Sequence, residues 1–191
     1  MKEFYVDKSL AKYNNWFNYS LSELMNNIEQ KNQIILKKHL PDLQLLLDKM
    51  VNINKENNSL LIALREAFTT LKIEIDVHFA GEWQLLTPYI REIDSYQKYG
   101  GVKPVTSLSG IKDIANLIEY EHDYVENTLL KNISNITSNY QISEDTNDAI
   151  KILYDKFKEL KEEISGHIHL VADVLFPKAV ELETLIIHEI C

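Results

Sequence analysis

Apolar residues recur at alternating intervals of three and four along most of the chain, which is the pattern of helices that bury one stripe. The clearest stripe comprises Leu64, Phe68, Leu71, Ile75, His78, Glu82 and Leu85. An earlier stripe comprises Leu21, Leu24, Met25, Ile28, Leu36, Leu40, Leu43 and Leu47. Two later stripes comprise Ile111, Ala115, Ile118, His122, Val125 and Leu129, and then Leu153, Phe157, Leu160, Ile164, His167, Val171 and Val174. Together they predict an all-α fold, an up-down-up-down four-helix bundle.

Polar stretches separate the four stripes and set the limits of the predicted helices, which lie near residues 20–52, 59–97, 107–137 and 145–176. The first helix should open with a capping box, because Ser20 is followed three residues later by Glu23. Three prolines within or near the helical patterns are expected to kink or end them: Pro41, Pro88 and Pro177. We therefore assign residues 20–191 to the bundle. Residues 1–19 should form a leader whose aromatic side chains pack on its surface: Tyr13, Trp16 and Phe17.

Composition narrows the choice of partners. The 191 residues, 45% of them hydrophobic, suit one domain with a real core, and the net charge of −9 disfavours nucleic acid or an anionic membrane as the main partner. No apolar run approaches the roughly 20 residues of a membrane span, and the first residues do not resemble a signal peptide. The single cysteine, Cys191, excludes an internal disulfide and a thiolate metal cluster. We expect a cytoplasmic monomer or homodimer.

Three histidines lie at one predicted height of the bundle. In an up-down bundle, residues equally far from a turn share the same depth. The point midway between His78 and His122 falls on the glycine turn at Gly100, and the point midway between His122 and His167 falls in the next polar turn. Glu82 follows His78 by one helical turn on the same apolar stripe, and burial of an unpaired carboxylate costs several kcal/mol. These four side chains predict a metal site in the bundle core. Imidazole and carboxylate without thiolate suit iron, manganese or zinc, and we favour iron.

The remaining polar candidates are weaker. His169 should face away from His167, and His39 and His188 fall off the shared level, so we expect all three to be exposed. Glu74 and Glu121 are placed to accept a hydrogen bond from a ligand imidazole, although an exposed helix carboxylate is the commoner case. The chain contains no phosphate loop, dinucleotide fingerprint or nucleophile elbow.

Three motifs around these residues resemble those of hemerythrin-like domains. HFAGEWQLLTPYI at 78–90 resembles the pattern H-x-x-x-E-E-x-x-L-F-P-x-I, and Glu121-His122-Asp123 resembles an E-H-D motif. HIHLVADVLFPKA at 167–179 is similar to H-I-x-L-E-N-N-x-L-F-P-R-A, which is typical of the repair-of-iron-centres family. The resemblance implies a hemerythrin-like bundle with a non-haem di-iron centre of four histidines and two bridging glutamates. It also implies a role in restoring iron–sulfur clusters after nitrosative or oxidative damage.

Two ligands of that family have no counterpart here. His78, Glu82, His122 and His167 match family ligands, whereas the first-helix histidine aligns with Gln33 and the second bridging glutamate with Val171. Reflection of position 78 through the first turn also gives Gln33, and we do not expect the neighbouring Asn32 to replace the missing ligand. In the family arrangement, His78, His122 and Glu82 would hold one iron. The resemblance thus implies one or two ions, and the second site lacks two of its family ligands.

Two functions remain open. The first is an iron protein that binds, stores or donates iron or binds NO or O₂, with damaged iron–sulfur proteins as partners and without enzymatic turnover. The alternative is a metal-poor regulatory or protein-interaction bundle derived from that family. Val171 and Gln33 favour this alternative, and Glu82 on an apolar stripe opposes it. Zinc binding, haem binding and hydrolase or oxidase chemistry are further alternatives.

Overall fold

Four long helices make up the protein, and a computed structural model describes them over residues 16–53, 59–104, 110–144 and 146–188. A short 3₁₀ turn, Trp16–Asn18, precedes the first. The packing predicted for Tyr13 and for the side chain of Phe17 falls outside what the structure describes. Within those ranges there is no strand, and no helix is both long enough and apolar enough to cross a membrane.

Each long helix is built in the same way, from an α-helical segment, a π-helical segment of five or six residues and a second α-helical segment. Helix α1, residues 21–53, consists of Leu21–Ile34, Ile35–His39 and Leu40–Ile53. Helix α2, residues 59–99, consists of Ser59–Gly81, Glu82–Leu86 and Thr87–Tyr99. Helix α3, residues 111–136, consists of Ile111–Tyr124, Val125–Leu130 and Lys131–Ile136. Helix α4, residues 148–188, consists of Asp148–Leu170, Val171–Leu175 and Phe176–His188.

The helices pack in the predicted up-down-up-down order, because α1 contacts α2 and α4, and α3 contacts the same two helices. The predicted capping box at the start of α1 is present. The Ser20 hydroxyl accepts the Glu23 backbone N–H at 3.3 Å, and the Glu23 carboxylate accepts the Ser20 N–H at 2.7 Å. Both N–H groups would otherwise lack a partner at the helix start.

The three prolines inside the helices do not end them, and α4 runs on to His188 rather than stopping near 176. A proline clashes with the carbonyl four residues back and has no N–H to donate. Here each proline is the second residue after a π-helical segment. The residue before it donates to the carbonyl five residues back: Leu40 to Ile35, Thr87 to Glu82, and Phe176 to Val171. The regular hydrogen-bond ladder is therefore already altered where the proline stands.

The core is divided into two apolar clusters. One lies toward the α1–α2 and α3–α4 turns and includes Phe68 and Phe157, whose rings meet edge to face at 5.7 Å. The other lies toward the opposite end of the bundle and includes Ile90 and Leu182. The predicted stripes fill these clusters with one clear exception: Leu85 is 45% exposed, and its neighbour Leu86 is buried instead. The π-helical segment adds one residue to the turn and so moves the stripe by one position.

Candidate metal centre

A layer of polar side chains crosses the bundle between the two apolar clusters, at the level of the π-helical segments. His78 and Glu82 come from α2, His122 from α3 and His167 from α4, and each is at most 4% exposed. The structure brings one ligand atom from each of the four residues to within 4.8 Å of the others. No other group of three or more histidine, cysteine, aspartate or glutamate ligands occurs in the part of the chain that the structure describes.

The donor atoms converge on one point. The Nε2 atom of His78 lies 3.0 Å from Nε2 of His122 and 3.4 Å from Nε2 of His167. Oε1 of Glu82 lies 3.3 Å from Nε2 of His167 and 3.6 Å from Nε2 of His78. Bonds of about 2.0–2.2 Å to a metal place neighbouring ligand atoms about 3.0–3.5 Å apart. The four atoms could therefore hold a metal ion.

The charge states of Glu82 and His122 suit the binding of a cation. Burial raises the pKa of Glu82, but the positive charge and hydrogen bonding available from His167, followed by His78 and His122, lower it to about 2. Burial, followed by the neighbouring His167 and His78, lowers the pKa of His122 to about 3. At neutral pH His122 is thus uncharged, with a nitrogen lone pair free to bind a metal. Oε1 of Glu82 is buried and makes no aligned hydrogen bond to any residue that the structure describes.

His78 is oriented by a carboxylate from the neighbouring helix. Oε2 of Glu121 on α3 accepts a hydrogen bond from Nδ1 of His78 at 2.7 Å, which keeps the proton on Nδ1 and directs the Nε2 lone pair at the cluster. The carboxylate is 38% exposed and lines a cavity of about 260 Å³, together with Glu74, Tyr120 and Tyr124. Of the two carboxylates that were candidates to accept a hydrogen bond from a ligand imidazole, Glu121 does so. Its donor is His78 and not the adjacent His122.

The side chain that α1 contributes to this layer is Asn32, so the expectation that Gln33 stands there is wrong. Asn32 is fully buried, and its Nδ2 donates to Oε2 of Glu82 at 3.1 Å, whereas Gln33 is only half-buried. Counting through the turn assumed a regular helix, and the π-helical segments shift the register. A sequence signal was present, because Asn32 continues the spacing of Met25 and Ile28.

Comparison with known proteins settles the family. The sequence matches the hemerythrin HHE cation-binding domain over residues 34–179. The chain belongs to the hemerythrin family. Over 164 residues it is also 26% identical to the iron-sulfur cluster repair protein YtfE of Escherichia coli (strain K12 / DH10B), which covers 86% of this chain and 68% of that protein. The protein of the same name from Shigella boydii serotype 18 (strain CDC 3083-94 / BS512) matches to the same extent.

The remaining candidates do not join the hemerythrin-type cluster. His169 is exposed, as predicted, and its Nδ1 lies 3.3 Å from Oδ2 of Asp173. His188 is also exposed, whereas His39 is half-buried. Val171 is fully buried in an apolar cluster and offers no donor atom. The residues that fit a cation are therefore the three converging imidazoles and Glu82, the four residues that the sequence predicted.

Proposed function

We propose that this hemerythrin domain binds one iron ion through His78, Glu82, His122 and His167 and takes part in the repair of iron–sulfur proteins. The observation that carries the proposal is the convergence of three imidazole nitrogens with a buried carboxylate oxygen that makes no aligned hydrogen bond. A nitrogen and oxygen donor set without thiolate suits iron. The name of the YtfE relatives supports the repair role, with damaged iron–sulfur proteins as partners.

A single ion is favoured because the layer contains no second donor set. On α1 the position nearest Glu82 is an amide, Asn32, and on α4 the position one turn beyond His167 is Val171. Four protein ligands leave coordination positions open on an ion that accepts six. Iron bound there would supply a position for NO or O₂, or would itself be donated to a client protein.

The chain's own residues would prepare the site in three ways. The neutral imidazole of His122 provides a lone pair, the Glu82 carboxylate provides negative charge, and Glu121 holds the His78 ring in the ligating orientation. The apolar clusters on both sides exclude water from the layer. Exclusion of water strengthens each electrostatic interaction with a bound cation.

A metal-poor regulatory or protein-interaction bundle is the second candidate. It is favoured by the contacts of Glu82 with His167 and His78, because a protonated imidazole can balance the carboxylate without a metal. The absence of a donor at Val171 points the same way. Under this alternative the buried polar layer would only help to select one packing of the four helices.

Metal content separates the two candidates. We would purify the protein without chelator, measure bound metals by elemental analysis, and titrate the metal-free form with Fe(II) under argon. We expect at most one tightly held iron per chain. His167→Ala should abolish tight binding, whereas His169→Ala, a matched change two residues away on the exposed face, should not. Absence of binding in the wild type would favour the interaction bundle, and two tightly held irons would show that our ligand assignment is incomplete.

A further inference from the structure

The two oxygens of Glu82 face different partners. Oε1 lies near Nε2 of His167 and His78, at 3.3 and 3.6 Å, while Oε2 accepts the amide N–H of Asn32 at 3.1 Å. Both Asn32 and Glu82 are at most 1% exposed, so water does not compete for this hydrogen bond. Oδ1 of Asn32 makes no hydrogen bond to any residue in the described part of the chain.

We propose that Asn32 holds Glu82 as a one-oxygen ligand and thereby limits the centre to a single ion. This inference rests on the proposed metal centre. A carboxylate that bridges two cations must give one oxygen to each. Here the amide N–H of Asn32 points at Oε2, where a second ion would have to bind, and the partial positive charge of the N–H group repels a cation at that place.

The orientation of the Asn32 amide follows from the charge on Glu82. Reversal of the amide would place Oδ1 against a carboxylate oxygen in a dry interior, with two acceptors facing each other and no proton between them. A hydrogen bond to an ionised acceptor is about twice as strong as one between neutral groups. The Nδ2 group therefore stays on Oε2 whenever Glu82 is ionised.

The decisive variant is Asn32→Asp, which keeps the size of the side chain and replaces the donor by an anionic oxygen. Two carboxylates would then meet across about the distance of the present hydrogen bond, and a shared proton or a second cation would be needed between them. Excess Co(II) at pH 8 favours the cation over the proton. Gln33→Glu is the matched control, because it adds the same charge to the next, half-buried position of α1. After dialysis against Co(II) under argon, elemental analysis should give one Co(II) per chain for the wild type and Gln33→Glu, and two for Asn32→Asp.

Asn32→Leu tests the same inference without added charge. It removes the donor and supplies no ligand, so Glu82 becomes free to give both oxygens to the one ion. We expect one Co(II) per chain, with a weaker visible absorption that marks the higher coordination number, while Gln33→Glu keeps the wild-type spectrum. Circular dichroism would verify that each variant is folded. If Asn32→Asp does not fold, the spectrum of Asn32→Leu decides.

The outcomes separate this inference from the function on which it rests. If the wild type binds no Co(II), the proposed metal centre is wrong, and the proposed role of Asn32 is wrong as well. If the wild type binds one Co(II), and Asn32→Asp also binds one or folded Asn32→Leu has the wild-type spectrum, the metal centre stands and the role of Asn32 is overturned.

Discussion

Glu82 is a carboxylate that is 1% exposed, within a layer whose other members are imidazoles and an amide. Its charge needs a positive partner, either a metal or a protonated imidazole. Without a metal, the carboxylate loses the cation that would offset the cost of its burial.

Glu82→Gln should consequently act in opposite directions with and without metal at pH 8. With Fe(II) under argon, the variant should lose metal affinity and melt lower than the wild type, because a neutral amide replaces an anionic ligand. With chelator, the same variant should melt higher, since it removes an unpaired buried charge. Thermal melts of both proteins under both conditions test this, with Glu74→Gln as the control that should shift neither. Equal shifts with and without metal would show that Glu82 is not a ligand.

His122 predicts how the stability of the metal-free protein depends on pH. The unfolded chain protonates His122 near its ordinary pKa of about 6.5, whereas the folded chain does so only at about 3. Between these values the unfolded state binds the extra proton, so stability falls as pH falls, by up to about 1.4 kcal/mol per pH unit. His122→Gln should reduce the loss of unfolding free energy between pH 6.5 and 5, measured by urea denaturation with chelator. An unchanged slope in His122→Gln would contradict the assignment.

At the scale of the helices, the π-helical segments explain where sequence reasoning succeeded and where it failed. The number of helices, their order and most of their limits follow from the apolar spacing, and so do His78, His122 and His167. The errors were the exposure of Leu85, the choice of Gln33 over Asn32, and the end of α4. The first two arise where a π turn adds a residue that the regular period of about 3.6 does not anticipate. The third arises because Pro177 lies just after such a turn and does not end the helix.

The start of α3 depends on a contact with α4. Glu183 accepts the backbone N–H of Ile111 at 3.1 and 3.2 Å and also accepts the hydroxyl of Tyr89. Gly110 precedes this N–H with a φ of +118°, and a Cβ added there would meet both Glu183 carboxylate oxygens at 3.0 Å. Because Gly110 has no Cβ, the Glu183 carboxylate can reach the backbone N–H of Ile111 at the start of α3.

Gly110→Ala should destabilise the protein more than Gly101→Ala. Both positions have a positive φ that strains an alanine, at a cost of about 1–3 kcal/mol, but no atom lies within 4 Å of a Cβ added at Gly101. The difference between the two variants in unfolding free energy isolates the displacement of Glu183. Urea denaturation at one pH measures it. Equal losses in the two variants would mean that Glu183 moves aside without loss of its hydrogen bond to Ile111.

Across the whole molecule, the polar layer and the π-helical segments lie at one level, between two apolar clusters. π-helical turns are less regular than α-helical ones, and open locally more readily than a packed α-helix. We expect backbone amides of the segments Glu82–Leu86, Val125–Leu130 and Val171–Leu175 to exchange hydrogen faster than those of the flanking helices. Addition of Co(II) should slow exchange at this level more than in either apolar cluster. Hydrogen–deuterium exchange with mass spectrometry can measure both effects, and uniform protection along the helices would contradict them.

The polar layer also determines which alternative packings the bundle can adopt. Four amphipathic helices with long apolar stripes can in principle slide past one another by one turn, about 5.4 Å, and still bury leucine and isoleucine. In this chain such a slide of α2 would carry Glu82 into an apolar cluster and separate it from Asn32 and His167. The cost of that buried charge excludes the shifted packings. The polar side chains that could bind a metal therefore also fix the positions of the four helices relative to one another along the bundle. Variants that replace all of these side chains by leucine should be stable yet populate several helix registers.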